Sequence, residues 1–441
     1  MLSRQRAQEI INKLAQYSKN KVIVNILDNG QKLTRFANSE IHQNVEIDDT
    51  IISLTVHAGK KSATCQTNTF DDKSLKKLAA DADAILEHVP EGDMEIPAVP
   101  ADPVPETPND ERLAETYDIE GRADAVNRCV GSLSDDYSTA GVISLDTYMR
   151  SFGNSEGLFR FYNFNGVLFE VVVTHKDGAT GFGAVQTNNF DTCDIFTAFR
   201  TAYNKAKTAV DPVFADLGAY TVVLEPAAVR NLINYVMMGL NGAAYQRGTS
   251  YAVGRLNEKV FGENITIKDD VNNPATFQRF FDGEGYRRQP LTLVENGVLK
   301  NVVHCSKTAK KAGVEPTGHA FSSGGNGGMP GNIVMQGGDS SLPEMLLSVK
   351  KGILVTHFHY CNVVNPKTLQ VTGLTRDGTY LIENGEITKP LKNMRFTESL
   401  LNAFSNVKAI SRDLSVVPGF GGPALIPALL IDDFHFTSGQ K

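Results

Sequence analysis

The chain has 441 residues, and at about 100–200 residues per domain it holds two or three domains. Its 41% hydrophobic and 21% charged content supports a large core and excludes wholesale disorder, while a formal charge of −7 without long basic runs argues against a dedicated nucleic-acid binder. No apolar run reaches the ~18 residues of a membrane span, the N-terminus has no signal-peptide core, and five dispersed cysteines without a C-x-x-C pair point away from a disulfide framework and towards a soluble, cytoplasmic protein.

Ala7, Ile10, Ile11 and Leu14 recur at helical spacing, so an amphipathic helix opens the chain. A β-rich run over 21–27, an Asp28-Asn29-Gly30 turn and a second run to Phe36 follow. Residues 51–57 and 62–67 read as a hairpin across Gly59-Lys60. Asp71 or Asp72 caps a helix with the apolar face Leu75, Leu78, Ala79, Ala82, Ile85 and Leu86. These elements predict an N-terminal α/β domain over residues 1–89. Residues 90–110 are rich in proline and small or acidic side chains, and read as an exposed, semi-extended linker.

A second helix–strands–helix unit occupies 111–215. Ile119, Ala123, Val126, Val130 and Leu133 mark its first helix, strand-like runs follow at 142–150, 158–162, 167–175 and 181–187, and Asp194 caps a closing helix through Ala206. From 216 to 441 β signals dominate. A short strand at 220–224 leads into a helix begun by Pro226, and hairpins centre on Asn296-Gly297 and Asn384-Gly385. A helix over 340–351 lies between the hairpins, and the apolar tail 425–436 is strand-like. The fold class is therefore α+β: two N-terminal helix–sheet units followed by a β-rich C-terminal domain.

Few segments carry an obvious chemistry. The glycine-dense stretch 322–331 lacks the Lys-Ser/Thr ending of a phosphate loop, so it reads as a substrate-facing or plain surface loop. His357, His359 and Cys361 alternate, and on a regular strand all three share a face. The outer pair would stand about 13 Å apart, so two of the three could share a zinc ion but not all three without strain. A polar strand face with a buried cysteine is the better reading. Asp269-Asp270 reads as a solvated turn, Asp282 and Glu284 have no partner visible in sequence, and His304-Cys305 diverge on a strand.

Several fragments in order resemble one family. Arg35-Phe36-Ala37-Asn38-Ser39-Glu40-Ile41 resembles the N-terminal domain of the TldD/TldE (PmbA) family, often labelled modulator of DNA gyrase. Arg247-Gly248-Thr249-Ser250 resembles its C-terminal signature, and so do Asp282-Gly283-Glu284-Gly285, Glu295-Asn296-Gly297, Pro316-Thr317-Gly318 and Glu383-Asn384-Gly385. The resemblance covers essentially the whole chain. It implies a zinc metallopeptidase system acting on unfolded peptides. In the catalytic branch a helix carries H-E-x-x-x-H before the R-G-T-S motif, and a late cysteine completes the metal site.

This chain departs at each of those points. Ile233 and Met238 stand at the two histidine positions and Asn234 at the glutamate position, and no cysteine follows Cys361 near Pro418-Gly419-Phe420. Isoleucine cannot ligate zinc, a thioether is a poor zinc ligand, and an amide is no general base. The pattern resembles the TldE/PmbA branch, whose members lack the metal. Ile233, Val236, Met237 and Leu240 then read as a buried helix face.

The expectation is a chain without catalytic residues, metal or cofactor of its own, paired as a dimer with a catalytic TldD-type paralogue or with itself. It would hold an extended peptide near Arg247, Gly248, Thr249, Ser250 and His319. No direct nucleic-acid contact and no membrane contact are expected. Two alternatives stand: an active zinc peptidase with a displaced site at His357, His359 and Cys361, and a peptide- or protein-binding module without a peptidase partner.

Overall fold

A computed structural model describes residues 1–322, 327–419 and 421–439. Its first half is built on one six-stranded sheet. Helix α1 (Arg4–Tyr17) is followed by strands β1 (Lys21–Ala37), β2 (Glu40–Ala58) and β3 (Lys61–Thr67) and helix α2 (Asp72–His88). Helices α3 (Arg112–Thr116) and α4 (Ile119–Val130) lead into β4 (Tyr137–Asn154), β5 (Phe159–His175), β6 (Thr180–Thr187) and α5 (Ile195–Thr208). The strand order is β3-β2-β1-β4-β5-β6.

The two helix–sheet units are thus halves of one sheet, joined where β1 pairs antiparallel with β4 from Ile23–Asn154 to Phe36–Gly141. Alternation sets the layers. Val22, Val24, Ile26 and Met149 turn to one face and pack under α1 and α2. Ile143, Leu145, Phe169 and Val171 pack under α4 and α5. The residues of opposite parity, Ile23, Phe152, Tyr162 and Phe164, turn the other way and meet Phe277 and Phe281 of the C-terminal half. All four main helices therefore cover one face, leaving the other for the second domain.

One expectation needs correction. Asp28-Asn29-Gly30 makes no turn: β1 runs straight through it, paired to β2 at all three residues. Pairing on both flanks outweighs the local turn preference, and Thr50 donates a 2.9 Å hydrogen bond to the Asp28 carboxylate. The real reversal is at Asn38 and Ser39, both with positive φ, as a two-residue hairpin turn requires. The Pro-rich segment, residues 90–110, is irregular and largely exposed, and it is anchored at several points. Arg160 holds the carbonyl of Pro100 (2.7 Å) and the carboxylate of Asp102 (2.9 Å), and Thr107 donates to the Gln278 carbonyl (2.8 Å). Ile96, Val99 and Val104 pack on the same aromatic cluster that joins the two halves.

The second half folds around an eleven-stranded sheet. It comprises β7 (Gly218–Leu224), β8 (Ile267–Asp269), β9 (Leu291–Glu295), β10 (Val298–Leu299), β11 (Ile333–Met335), β12 (Lys351–Asn365), β13 (Gln370–Glu383), β14 (Glu386–Pro390), β15 (Met394–Ser399), β16 (Val407–Val417) and β17 (Ala424–Gly439). Helix α6 (Pro226–Gly239) lies on it, followed by short α7 (Gly242–Gln246) and α8 (Ser306–Ala312). Both Asn-Gly hairpins form, as β9–β10 and β13–β14. The halves are also tied by Lys205, whose ammonium contacts the Glu225 carboxylate (2.6 and 2.8 Å) and the Thr356 hydroxyl (2.9 Å). No described helix is long and apolar enough to cross a membrane.

Candidate functional site

Helix α6 carries the segment in which the resemblance locates a metal. Ala228, Val229, Leu232, Ile233, Val236 and Met237 are buried, forming the inner stripe of an amphipathic helix. Ile233 is fully buried in the main core, whereas Met238 is 52% exposed. Five residues at 100° each separate the two by about 140° around the helix. The two side chains diverge. Asn234 is half-buried, and its side-chain oxygen accepts from the Arg230 guanidinium one turn earlier.

Arg230 is 3% exposed, yet no carboxylate pairs with it and its Nε has no partner among the described residues. Burial lowers its pKa to about 10. Gly419 lies directly against it: a Cβ there would sit 2.2 Å from Arg230 Nη2. That glycine is in the stretch where the late cysteine would fall. A zinc ion does not fit these residues. The helix offers a hydrocarbon, a thioether and an amide already bonded to a guanidinium, and a permanent cation stands where a second cation would have to enter. Among the described residues no group of three or more His, Cys, Asp or Glu is placed to hold a metal.

Backbone geometry separates the three residues of the displaced alternative. The β12–β13 register shifts between His359 and Asn362, and Tyr360 has φ +52°. This bulge breaks the alternation. His357 stacks on Phe182 with centroids 4.5 Å apart, and its Nδ1 is 3.5 Å from Asp377. Cys361 instead packs into the main core, on the side of Phe358, and burial pushes its thiol up to about 12. The three candidate ligands do not share a face.

Arg247–Ser250 closes the end of α7. Gly248 has φ +73°, which turns the chain back, and the Thr249 N–H and hydroxyl both donate to the Ala244 carbonyl. Ser250 is buried, with its hydroxyl donated to the Gly239 carbonyl. Arg247 and Thr249 are exposed. His319 is buried apart from them. Its Nδ1 is 3.0 Å from the Thr317 hydroxyl and its Nε2 is 3.3 Å from Asp269. The described end of the glycine-rich stretch connects the two regions, since Gly327 packs on Asn241 just before α7. Residues 323–326 of that stretch lie outside the described residues.

Asp269 is no solvated turn residue: it is fully buried. Burial alone would raise its pKa. His319, the charge of Arg288 and the Gly331 N–H outweigh that and hold the carboxyl well below the ordinary range. Asp282 is equally committed, accepting from the Glu284 and Tyr286 N–H groups (2.9 Å each) and the Ala320 N–H (2.8 Å). Glu284 accepts from the backbone and hydroxyl of Ser306, capping α8. The acidic pair thus fixes the wall formed by 282–286 and 319–321.

That wall borders a cleft of about 330 Å³ between the free face of the first sheet and the C-terminal half. Arg150, Arg279 and Arg288 line it with Tyr148, Tyr162, Phe281 and His319. Reading the sequence did not single out these arginines. Arg150 stands far from Arg279 and Arg288 in the chain, and only the docking of the two halves brings it to them.

Residues 217–438 match the profile of the PmbA/TldA metallopeptidase C-terminal domain. The chain belongs to the PmbA/TldD metallopeptidase family. It is similar to a metalloprotease of Methanothermobacter thermautotrophicus, 30% identical over 40% of this chain and 39% of that protein. A Methanocaldococcus jannaschii metalloprotease is 26% identical over 58% of each chain. The PmbA homologue of Haemophilus influenzae, also named a metalloprotease, is 28% identical over 42% of this chain and 39% of that one. These matches span from two fifths to under three fifths of the relatives' lengths. The fold is that of TldE from Thermococcus kodakarensis, with a TM-score of 0.88 over 99% of this chain and 100% of that one at 17% identity.

Proposed function

We propose that this chain is a non-catalytic member of the family, acting as the metal-free subunit of a peptidase that processes unfolded peptides. One observation carries the reading: at the positions where the catalytic motif would stand, Ile233 is sealed in the core, Asn234 is bonded to Arg230, and Met238 points to solvent. None of these can grip zinc or move a proton. The partner is a catalytic paralogue or a second copy of this chain, and the ligand is an extended peptide held in a cleft that the chain helps to build. The absence of a basic surface run supports a protein rather than a DNA target for any effect on gyrase. A cytoplasmic location goes with this role.

The test is co-purification with a paralogue carrying H-E-x-x-x-H, followed by peptide cleavage by each component and by the mixture. Cleavage by the mixture but not by this chain is expected. Chelator-sensitive cleavage by this chain alone would overturn the reading.

A further inference from the structure

The cleft between the two halves has an unbalanced charge. Arg150 donates to the Phe321 carbonyl (3.3 Å), Arg279 to the Gly421 carbonyl (2.9 Å), and Arg288 to the Gly318 carbonyl and the Asn332 side chain (3.0 Å each). Every acceptor is neutral. No Asp or Glu is among the lining residues. Asp269 and Asp282 feel the charge of Arg288, but both are buried behind the lining: Asp282 and one oxygen of Asp269 accept from backbone N–H groups, and that Asp269 oxygen also faces His319. Among the described residues no carboxylate pairs with Arg150 or Arg279, and the buried Nε of Arg150 has no hydrogen-bond partner. The guanidinium of Arg279 lies over Tyr148, Phe164 and Phe277 at 5.2–5.6 Å, which fixes its plane. Tyr162 and Phe281 supply apolar surface beside the three cations.

From this arrangement we propose that the cleft recognises a carboxylate on the bound peptide, with Arg150 and Arg279 as its principal partners. The inference rests on the peptide-holding role and adds the chemical class of what is held. A planar guanidinium matches a carboxylate in a two-point hydrogen bond, and aromatic walls suit the adjoining residue. In a chain of net charge −7, a cationic cleft also draws acidic ligands inward. The carboxylate comes either from the peptide C-terminus or from an aspartyl or glutamyl side chain.

Fluorescence anisotropy on the full chain distinguishes these sources. Three labelled hexapeptides serve as probes: a neutral-bodied free acid, its C-terminal amide, and the amide with one internal aspartate. At least one carboxylate peptide should bind about tenfold more tightly than the neutral amide, with the gap shrinking in 0.5 M salt by about the screening expected of exposed charge. Arg150→Met should close the gap, and Arg150→Lys should keep part of it. Asn29→Asp, which adds an acid to the lining by a near-isosteric change, should narrow the gap in a protein that is folded by circular dichroism. Equal binding of all three peptides would overturn the carboxylate inference and leave the peptide-holding role standing, whereas no binding at all would remove both. A gap that survives Arg150→Met would place the recognition elsewhere. Displacement of the free-acid peptide by micromolar inorganic phosphate would reassign the cleft to phosphate ligands.

Discussion

The Arg230 guanidinium donates to the side-chain oxygen of Asn234 one helical turn away, beneath Gly419. This contact places a buried cation between α6 and the glycines Gly419 and Gly422. Its charge carries a desolvation cost that no carboxylate offsets. Arg230→Met keeps most of the volume and removes the charge, so its unfolding free energy should stay within about 1 kcal/mol of wild type. Arg230→Ala opens a cavity and should cost about 2–4 kcal/mol. Urea unfolding followed by circular dichroism gives both values. Equal losses in the two variants would mean that the charge itself is required.

Zinc content provides a separate check on β12. Metal binding needs a thiolate, and burial holds the Cys361 thiol protonated at neutral pH. The bulge at Tyr360 also turns Cys361 away from His357 and His359. Protein purified without chelators should therefore show the same zinc content as wild type after His359→Ala or Cys361→Ser. Stoichiometric zinc lost in either variant would restore the strand as a metal site.

The close approach of α5 to β6 yields a packing prediction. A Cβ at Gly183 would lie 1.9 Å from the Ala198 carbonyl oxygen, so the helix rests on the bare backbone. Gly183→Ala must lift α5 off the sheet and should cost about 1–3 kcal/mol. Gly439→Ala, where a Cβ meets nothing within 4 Å, is the control and should be near neutral.

Local patterns were legible wherever one element decided the outcome. The buried stripe of α6, the Asp71 and Asp194 caps and both Asn-Gly hairpins follow from spacing and turn chemistry alone. Sequence failed where distant pairing overrode local preference. Asp28-Asn29-Gly30 has turn chemistry, but it lies in a strand flanked on both sides. The single sheet made of β1 and β4 joins residues more than a hundred positions apart, and no local period encodes that. His357, His359 and Cys361 alternate in sequence, but one residue with positive φ breaks the face. The cleft was hidden for the same reason, since Arg150 belongs to the first half and Arg279 and Arg288 to the second.

The Asp269–His319 pair predicts a pH signature. The folded carboxyl titrates below its unfolded value of about 3.9, so the stability it contributes is fully present above that pH and is lost as pH falls towards the folded pKa. Asp269→Asn removes the charge while keeping the shape, leaving His319 without its partner and weakening the bonds from the Gly331 and Asn332 N–H groups. At pH 7 the variant should be less stable by about 2–4 kcal/mol, the range for breaking a buried charged hydrogen-bond network. Below about pH 4 the gap should narrow, because the unfolded wild-type chain then takes up a proton at Asp269 that the folded carboxyl still excludes, which favours unfolding. Urea titrations of both proteins at pH 7, 5 and 3 measure it. A gap that stays constant with pH would mean that Asp269 acts through its shape and neutral hydrogen bonds, not through its charge.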